Sequence, residues 1–391
     1  MRVVMLLTNP FKPDPRVYKE AKSLAKHGYD VYIIAWDREG KHPKFEEKEG
    51  FKVIRVGPRA PYGMRMVSKL PIFYLHALKE ILKLKPAVLH THDFDTALLG
   101  FLFKLFKGVS WVYDIHDLYF TFPFLSAERG TLFVRLVKWI IKQIDLFLAK
   151  CADFVIVPTQ SIGGRYEGLR EYYVKNGVVK KKIITIWNVP DLSTFLNFPR
   201  LKLRKSKKFT IGFIGSQRTV SNFLALFEAI RDEASSYKIL FVGMGKRTHF
   251  LKKIVKERYP ELDVEFIDHV DYRVIPNYYH LCDVVYSCYP MTENVKRGVS
   301  SKIFEAAVLG IPVIVNEGSL SSDFIRRYKC GVCVDIDSVF DLKEKIMLAR
   351  NLRFNLRVIR EKWNWKNMES RLIQMYTKFR VKSRMVMRRE K

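Results

Sequence analysis

The sequence predicts an α/β protein made of two doubly wound, largely parallel sheets. Three observations carry that expectation. Strand-length apolar runs alternate with helix-period stretches from the first residues onward. The alternation pauses at a basic stretch, Lys202, Arg204, Lys205, Lys207 and Lys208, and then restarts. A chain of 391 residues also exceeds one ordinary core, and roughly 150 residues per domain gives two or three.

In order, strands are expected at 3–8, 30–35, 51–56, 88–92, 110–115, 154–158 and 183–187, with helices at 16–26, 66–84, 95–106 and 132–149 between them. Such spacing implies parallel pairing, since parallel strands need helical crossovers. After the basic stretch, strands follow at 210–214, 238–242, 264–267, 284–287, 313–316 and 331–335, with helices at 221–230, 246–259, 301–309 and 365–379. Two such domains facing each other leave a cleft at the carboxyl ends of their strands, where ligands of open α/β sheets bind.

Composition narrows the class. With 48% hydrophobic and 14% aromatic residues, there is enough apolar surface to exclude a disordered or low-complexity chain. The 69 Lys and Arg against 40 Asp and Glu give a charge of +29, which attracts anions: nucleic acid, phospholipid headgroups or a phosphorylated substrate. Five cysteines without repeating spacing argue for a reducing compartment, with cytoplasm as the default. Cys330 and Cys333 have redox or zinc spacing, but no second such pair exists, so they read as flanking a strand start. No apolar run is long enough to span a bilayer, and the N-terminus reads as a first strand rather than a signal peptide.

Two loops in the second half offer phosphate chemistry. In Gly212-Phe213-Ile214-Gly215-Ser216-Gln217-Arg218, a glycine, a hydroxyl and a guanidinium follow a strand and precede a helix, suiting Gly215, Ser216 and Arg218 to an anion. In Ser300-Ser301-Lys302-Ile303-Phe304-Glu305, Ser301 and its free helix-start amides would face an anion beside Lys302. Glu305, three residues on and therefore on the same face, could accept from a ribose diol. Competing nucleotide motifs fail: Gly243-Met244-Gly245 has Thr248 where a dinucleotide fingerprint needs its third glycine, and Lys246 is followed by Arg247 where a P-loop needs Ser or Thr. Asp93-Phe94-Asp95 and Asp335-Ile336-Asp337 read as strand-end and cap carboxylates.

The run from Ser301 through Glu305-Ala306-Ala307 to Gly310-Ile311-Pro312-Val313-Ile314 resembles the signature of the family 4 retaining glycosyltransferases. Asp14-Pro15-Arg16-Val17, His90-Thr91-His92-Asp93, Tyr113-Asp114-Ile115-His116-Asp117 and Trp187-Asn188-Val189-Pro190 resemble landmarks of the same family. The resemblance implies a GT-B fold of two facing Rossmann-like domains, an acceptor domain at 1–200 and a nucleotide-sugar donor domain at 201–363. A crossover helix and basic tail at 364–391 would return to the first domain. It further implies that Glu305 holds the donor ribose, that Gly215, Ser216, Arg218, Ser301 and Lys302 hold the diphosphate, and that His116 is catalytic, facing the sugar. Arg16, His92 and Asp93 would lie on the acceptor side.

Two departures accompany the resemblance. The first glutamate of the family pair is Arg297 here, a possible donor contact, and Asn222 or a neighbour stands where a second diphosphate cation is usual, a loss Lys302 could offset. The implied donor is a UDP- or GDP-sugar, without a required metal, and the acceptor a glycan or a lipid-linked one in polysaccharide or glycolipid synthesis. A nucleotide-sugar epimerase of the same fold and a basic nucleic-acid-binding protein are the alternatives, the second disfavoured by dispersed charge and the lack of a reader motif. Membrane contact at the inner face is expected from the total charge, from the tail (Lys378, Arg380, Lys382, Arg384, Arg388, Arg389, Lys391), and from the apolar stripe of 132–149 beside Arg135, Lys138 and Lys142. The competing expectation for that stripe, and the favoured one for the helix itself, is packing on the first sheet.

Overall fold

The computed structural model describes residues 1–12, 14–61, 63–121 and 132–389. The chain divides into two compact units. Met1–Gln160, Leu169–Trp187 and the chain from Met368 onward form the first, and Ser161–Gly168 with Asn188–Asn367 form the second. The division at Trp187 lies before the 200/201 boundary that the basic stretch suggests.

Among the described residues, the first unit holds eight strands: β1 (Arg2–Leu6), β2 (Asp30–Trp36), β3 (Phe45–Lys48), β4 (Phe51–Val56), β5 (Val88–His92), β6 (Ser110–Asp114), β7 (Phe154–Val157) and β8 (Ile183–Thr185). Their order is β3-β4-β2-β1-β5-β6-β7-β8, parallel except for the β3–β4 hairpin. Helices α1 (Pro15–Lys26), α2 (Leu70–Leu84), α3 (Phe94–Lys107), α4 (Leu132–Cys151) and α5 (Leu169–Lys175) make the connections. Central strands such as β1 and β5 are buried along nearly their whole length, which is why they read as unbroken apolar runs. Helix α1 starts at Asp14, whose carboxylate accepts from the Val17 amide, with Pro15 at the first turn; both residues favour a helix start. Its inward face is unusual in carrying Arg16, Lys19, Glu20 and Ser23.

After α6 (Leu192–Phe195), the second unit alternates β9 (Phe209–Ile214), α7 (Ser221–Ile230), β10 (Tyr237–Val242), α8 (Thr248–Arg258), β11 (Asp263–Ile267), α9 (Ile275–Tyr279) and β12 (Val284–Ser287). It continues with α10 (Glu293–Arg297), α11 (Ser301–Leu309), β13 (Val313–Asn316), α12 (Leu320–Tyr328), β14 (Gly331–Val334), α13 (Val339–Arg350) and α14 (Leu356–Lys362); α15 (Trp365–Arg389) begins in this unit and belongs to the first from Met368 onward. The order β11-β10-β9-β12-β13-β14 is all parallel and reverses direction between β9 and β12, the switch point at which doubly wound sheets bind ligands. Phe213 and Phe241 each pack edge to face on Phe223 in its core, and Phe227 stacks on Phe223.

Three expectations need adjustment. Within the basic linker, Lys205 and Lys208 pair with Asp283 and Asp263 of the second unit at 2.7 and 2.9 Å. The last helix continues past Phe379 to Arg389, so the expected tail is largely helical. Lys391 lies outside the described residues, as do the side chains of Lys382, Arg384, Arg388 and Arg389. Helix α4 meets the packing expectation only at its end: Asp145, Leu146, Leu148 and Ala149 are buried, while Phe133 and Trp139 are 72% and 59% exposed.

Candidate active site

In the second unit, β9 delivers Gly215 to the switch point. Its φ of 134° is open only to glycine in practice, and a Cβ there would meet the Lys302 ammonium at 3.3 Å. Lys302 enters from the first turn of α11, buried, with its nitrogen 3.4 Å from the Phe213 ring centroid and 5.2 Å from that of Tyr289. Ser300 occupies the cap position of α11, but its side chain makes no cap bond to the helix-start amides. An ammonium, a glycine turn and an uncapped helix start therefore converge on one spot, the arrangement an anionic phosphate group requires. Ser216, Arg218 and Ser301 are exposed.

Glu305, one turn along α11, is buried and accepts from Tyr272 at 2.9 Å and Tyr279 at 2.6 Å. Two hydroxyl donors fix the carboxylate orientation and leave it acceptor capacity for a diol. Arg297 lies between Glu293 (3.3 Å) and Glu167 (3.5 Å), an ion-pair setting. Asn222 is a structural tie: its amide donates to the Cys288 carbonyl and its oxygen accepts from Thr219. Residues the sequence did not single out complete the loop. Gln217 donates to the Gly215 carbonyl and accepts from Thr248, whose hydroxyl accepts from the Gly245 amide. A Cβ at Gly245 would lie 2.3 Å from the Gln217 backbone, so this glycine serves loop packing and the Gly-x-Gly spacing is accounted for without a dinucleotide.

The first unit gathers a second polar cluster at the ends of β5 and β6. Asp114 is its hub: Arg16 reaches it through Nη2 at 2.7 Å and Nε at 3.1 Å, and His116 Nε2 and His92 Nδ1 each lie 3.2 Å away. Arg16 also pairs with Glu20 at 3.3 Å and donates to the Ile186 carbonyl at 2.8 Å. Arg16 and His92, expected toward an acceptor, are thus buried beneath the surface. His90 shares a 2.8 Å hydrogen bond with Tyr376 of α15. His116 and Asp93 are the outward members, with 21% and 25% of their side chains exposed. The two ring nitrogens of His116 face Asp93 at 3.4 Å and Asp114 at 3.2 Å.

These neighbours set the charges. Burial opposes ionisation of Asp114, but Arg16 and His116 outweigh it and hold its carboxyl well below the usual range. Burial likewise opposes the charge on His116, yet Asp93 and Asp114 raise it to about 10, so it is an imidazolium at neutral pH. Burial, aided by Asp114 and opposed by Arg16, pushes Glu20 up to about 8. Burial lowers His90 and His92, so both are neutral. Among the described residues, Glu20, His90, His92 and Asp114 bring metal-capable donor atoms within 4.8 Å of one another. Arg16 already spans both carboxylates, so the cluster's negative charge is met by the protein itself.

Two Rossmann-like domains, the second with a phosphate-ready helix start at its switch point, define a GT-B glycosyltransferase. Comparison with known proteins gives the family: the Glycosyltransferase Family 4 model matches residues 16–193 and the Glycosyl transferases group 1 model matches residues 197–363. The chain belongs to these family 4, group 1 glycosyltransferases and is a glycosyl-transferring enzyme. Among solved structures, it is similar to sucrose-phosphate synthase from Thermosynechococcus elongatus, at 17% identity and TM-score 0.75 over 97% of this chain and 100% of that one. The Anabaena Alr3699/HepE protein, solved in complex with UDP and glucose, matches at 13% and 0.66 over 96% and 99%. A glycosyltransferase from Rickettsia africae matches at 15% and 0.66 over 97% and 98%. No curated protein matches by sequence. Among the described residues, no helix is long and apolar enough to cross a membrane.

Proposed function

We propose that this enzyme takes a sugar from a UDP- or GDP-sugar and places it on a glycan or lipid-linked acceptor, with retention at the anomeric carbon, at an anionic membrane surface. The carrying observation is the buried Lys302 ammonium beside Gly215 at the uncapped start of α11. As the sugar–phosphate bond breaks, charge grows on the leaving diphosphate, and a fixed ammonium with helix-start amides stabilises that state more than the ground state. Arg218, Ser216 and Ser301 border the same spot, and Glu305 receives the ribose diol. Tyr272 orients Glu305. Support for a uridine nucleotide comes from the Anabaena protein of similar fold, solved with UDP and glucose. The family assignment supports retention and a nucleotide-sugar donor.

The test is calorimetric titration of UDP, GDP and ADP into the purified chain at physiological salt. One diphosphate should bind clearly more tightly than the others. Absence of saturable binding by all three would remove the donor assignment.

A further inference from the structure

Two arginines far apart in sequence come together in the first unit without a counter-ion. Val157 of β7 pairs with Thr185 of β8, so the carboxyl ends of these parallel strands lie level. Just beyond β7, the Thr159 carbonyl accepts from the Arg170 amide at 3.0 Å, which places Arg170 at this end of the sheet. At the end of β8, the Thr185 carbonyl accepts from Nη1 of Arg371, on α15, at 3.2 Å. All of these residues belong to the first unit.

The hydrogen-bonding capacity of both guanidiniums is largely unspent. Each carries five N–H donors. Arg371 places one of them on the protein. The half-buried Arg170 side chain makes no hydrogen bond or ion pair among the described residues, and its Nε is shut off from solvent. The Thr185 hydroxyl, in a residue only 4% exposed, also has no partner. Buried polar atoms are normally hydrogen-bonded, so unmet donors gathered at one end of a sheet call for an explanation.

The charges are equally unmet. Arginines elsewhere in the chain, such as Arg326 beside Glu317 and Arg357 beside Glu361, are raised by the carboxylate that accepts from them. Arg371 is lowered instead, first by burial and then by the positive charge of Arg170. No carboxylate among the described residues pairs with either one, so an anion bound between them would relieve their repulsion and take up their free donors.

We propose that Arg170 and Arg371 form a phosphate-binding site in the first unit, and that the group they hold is a phosphate or diphosphate of the acceptor. The second half of this statement rests on the glycosyl-transfer reading above and names the chemical class of its acceptor; the first half stands apart from the donor site. A carboxylate has two oxygens and is filled by one guanidinium fork, whereas a phosphate offers enough oxygens for two. The carboxyl ends of parallel strands are where open α/β sheets bind ligands, and Arg371 is exposed there, open to an incoming group. Soluble sugar phosphates and phosphate-linked lipids both carry such a group, and the test separates them.

Inorganic pyrophosphate, glucose 6-phosphate and farnesyl diphosphate are titrated calorimetrically into the full chain, with UDP present throughout to occupy the donor site. At least one should bind saturably, and the tighter of the two organic probes gives the source of the phosphate. In Arg371→Gln that binding should weaken about tenfold, and in Arg170→Gln/Arg371→Gln about 100-fold, while UDP affinity stays at the wild-type value. The bound probe should raise the melting temperature of wild type and leave that of the double variant unchanged. If the double variant does not fold, Arg371→Gln, at an exposed side chain, decides the question. Failure of all three probes to bind wild type, or binding that survives undiminished in the variants, overturns the proposal. Failure of UDP to bind removes the donor reading alone, and the phosphate site still stands or falls on the three probes.

Discussion

The Lys302 ammonium and the Phe213 ring are 3.4 Å apart, nitrogen to centroid, so the buried cation rests on an aromatic face. No carboxylate among the described residues pairs with it, so an anionic ligand would supply the counter-ion that this buried charge lacks. Lys302→Met keeps the apolar stem and removes the charge. Diphosphate affinity should fall by about 1–3 kcal/mol while melting temperature holds or rises. A folded Lys302→Met protein that binds as tightly as wild type would disprove the assignment.

Glu305 gives a sharper test because its proposed contact is a diol. Tyr272 and Tyr279 hold the carboxylate, so Glu305→Gln changes its charge in a fixed setting. UDP should bind about 1–3 kcal/mol more weakly to the variant, whereas the 2′,3′-dideoxy nucleotide should bind both proteins alike. Equal losses for both nucleotides would mean that Glu305 supports the fold of the site without touching ribose.

How much of this was legible in the sequence depends on the range of each interaction. The parallel strands were visible because both of their faces are buried, and α11 was visible because its motif is contiguous. Strand β3, with sequence Phe45-Glu46-Glu47-Lys48, was not: it is a polar edge strand, signalled only by the Glu49-Gly50 turn with φ of 39° and 89°. Arg16 read as an acceptor-side residue because its partner Asp114 lies 98 residues away. Glu20, one helical turn from Arg16, was the available clue to a buried pair. The strained backbone of Asp93, with a φ of 65° and no cap bond, leaves no trace in residue type, since aspartate before a helix normally signals a cap.

The buried cluster predicts how stability varies with pH. Glu20 is raised from an ordinary glutamate value to about 8, so the folded state favours its protonated form. That stabilisation is complete below about pH 4.5 and is lost as pH rises through 8. His116 acts in the same direction, with stabilisation complete below about 6.5 and lost toward 10. Melting temperature should therefore fall between pH 6 and 9. Glu20→Gln mimics the protonated form at every pH, so it should match wild type near pH 5 and exceed it near pH 9. A variant less stable than wild type at both values would show that the Arg16–Glu20 pair needs the charge.

The last prediction concerns the exposed start of α4. Leu132, Phe133, Leu136, Trp139 and Ile140 are all exposed, with Arg135, Lys138 and Lys142 interspersed on the same helix. The end of the helix is anchored from within: Asp145 accepts from Tyr113 at 2.6 Å and from Tyr173 at 2.5 Å. An apolar surface with interleaved cations on a helix fixed at one end suits insertion among headgroups, where each basic residue near anionic lipid contributes about 1 kcal/mol. The +29 charge of the whole chain adds a long-range attraction that salt screens. Flotation with vesicles of increasing phosphatidylserine content should therefore show binding that rises with anionic lipid and weakens with salt. Replacing Phe133 and Trp139 together by Glu should abolish it, whereas deletion of 378–391 should only weaken it by removing basic charge. If the double variant floats like wild type, the helix is not the contact. If wild type fails to bind anionic vesicles at low salt, the acceptor is not presented on such a surface.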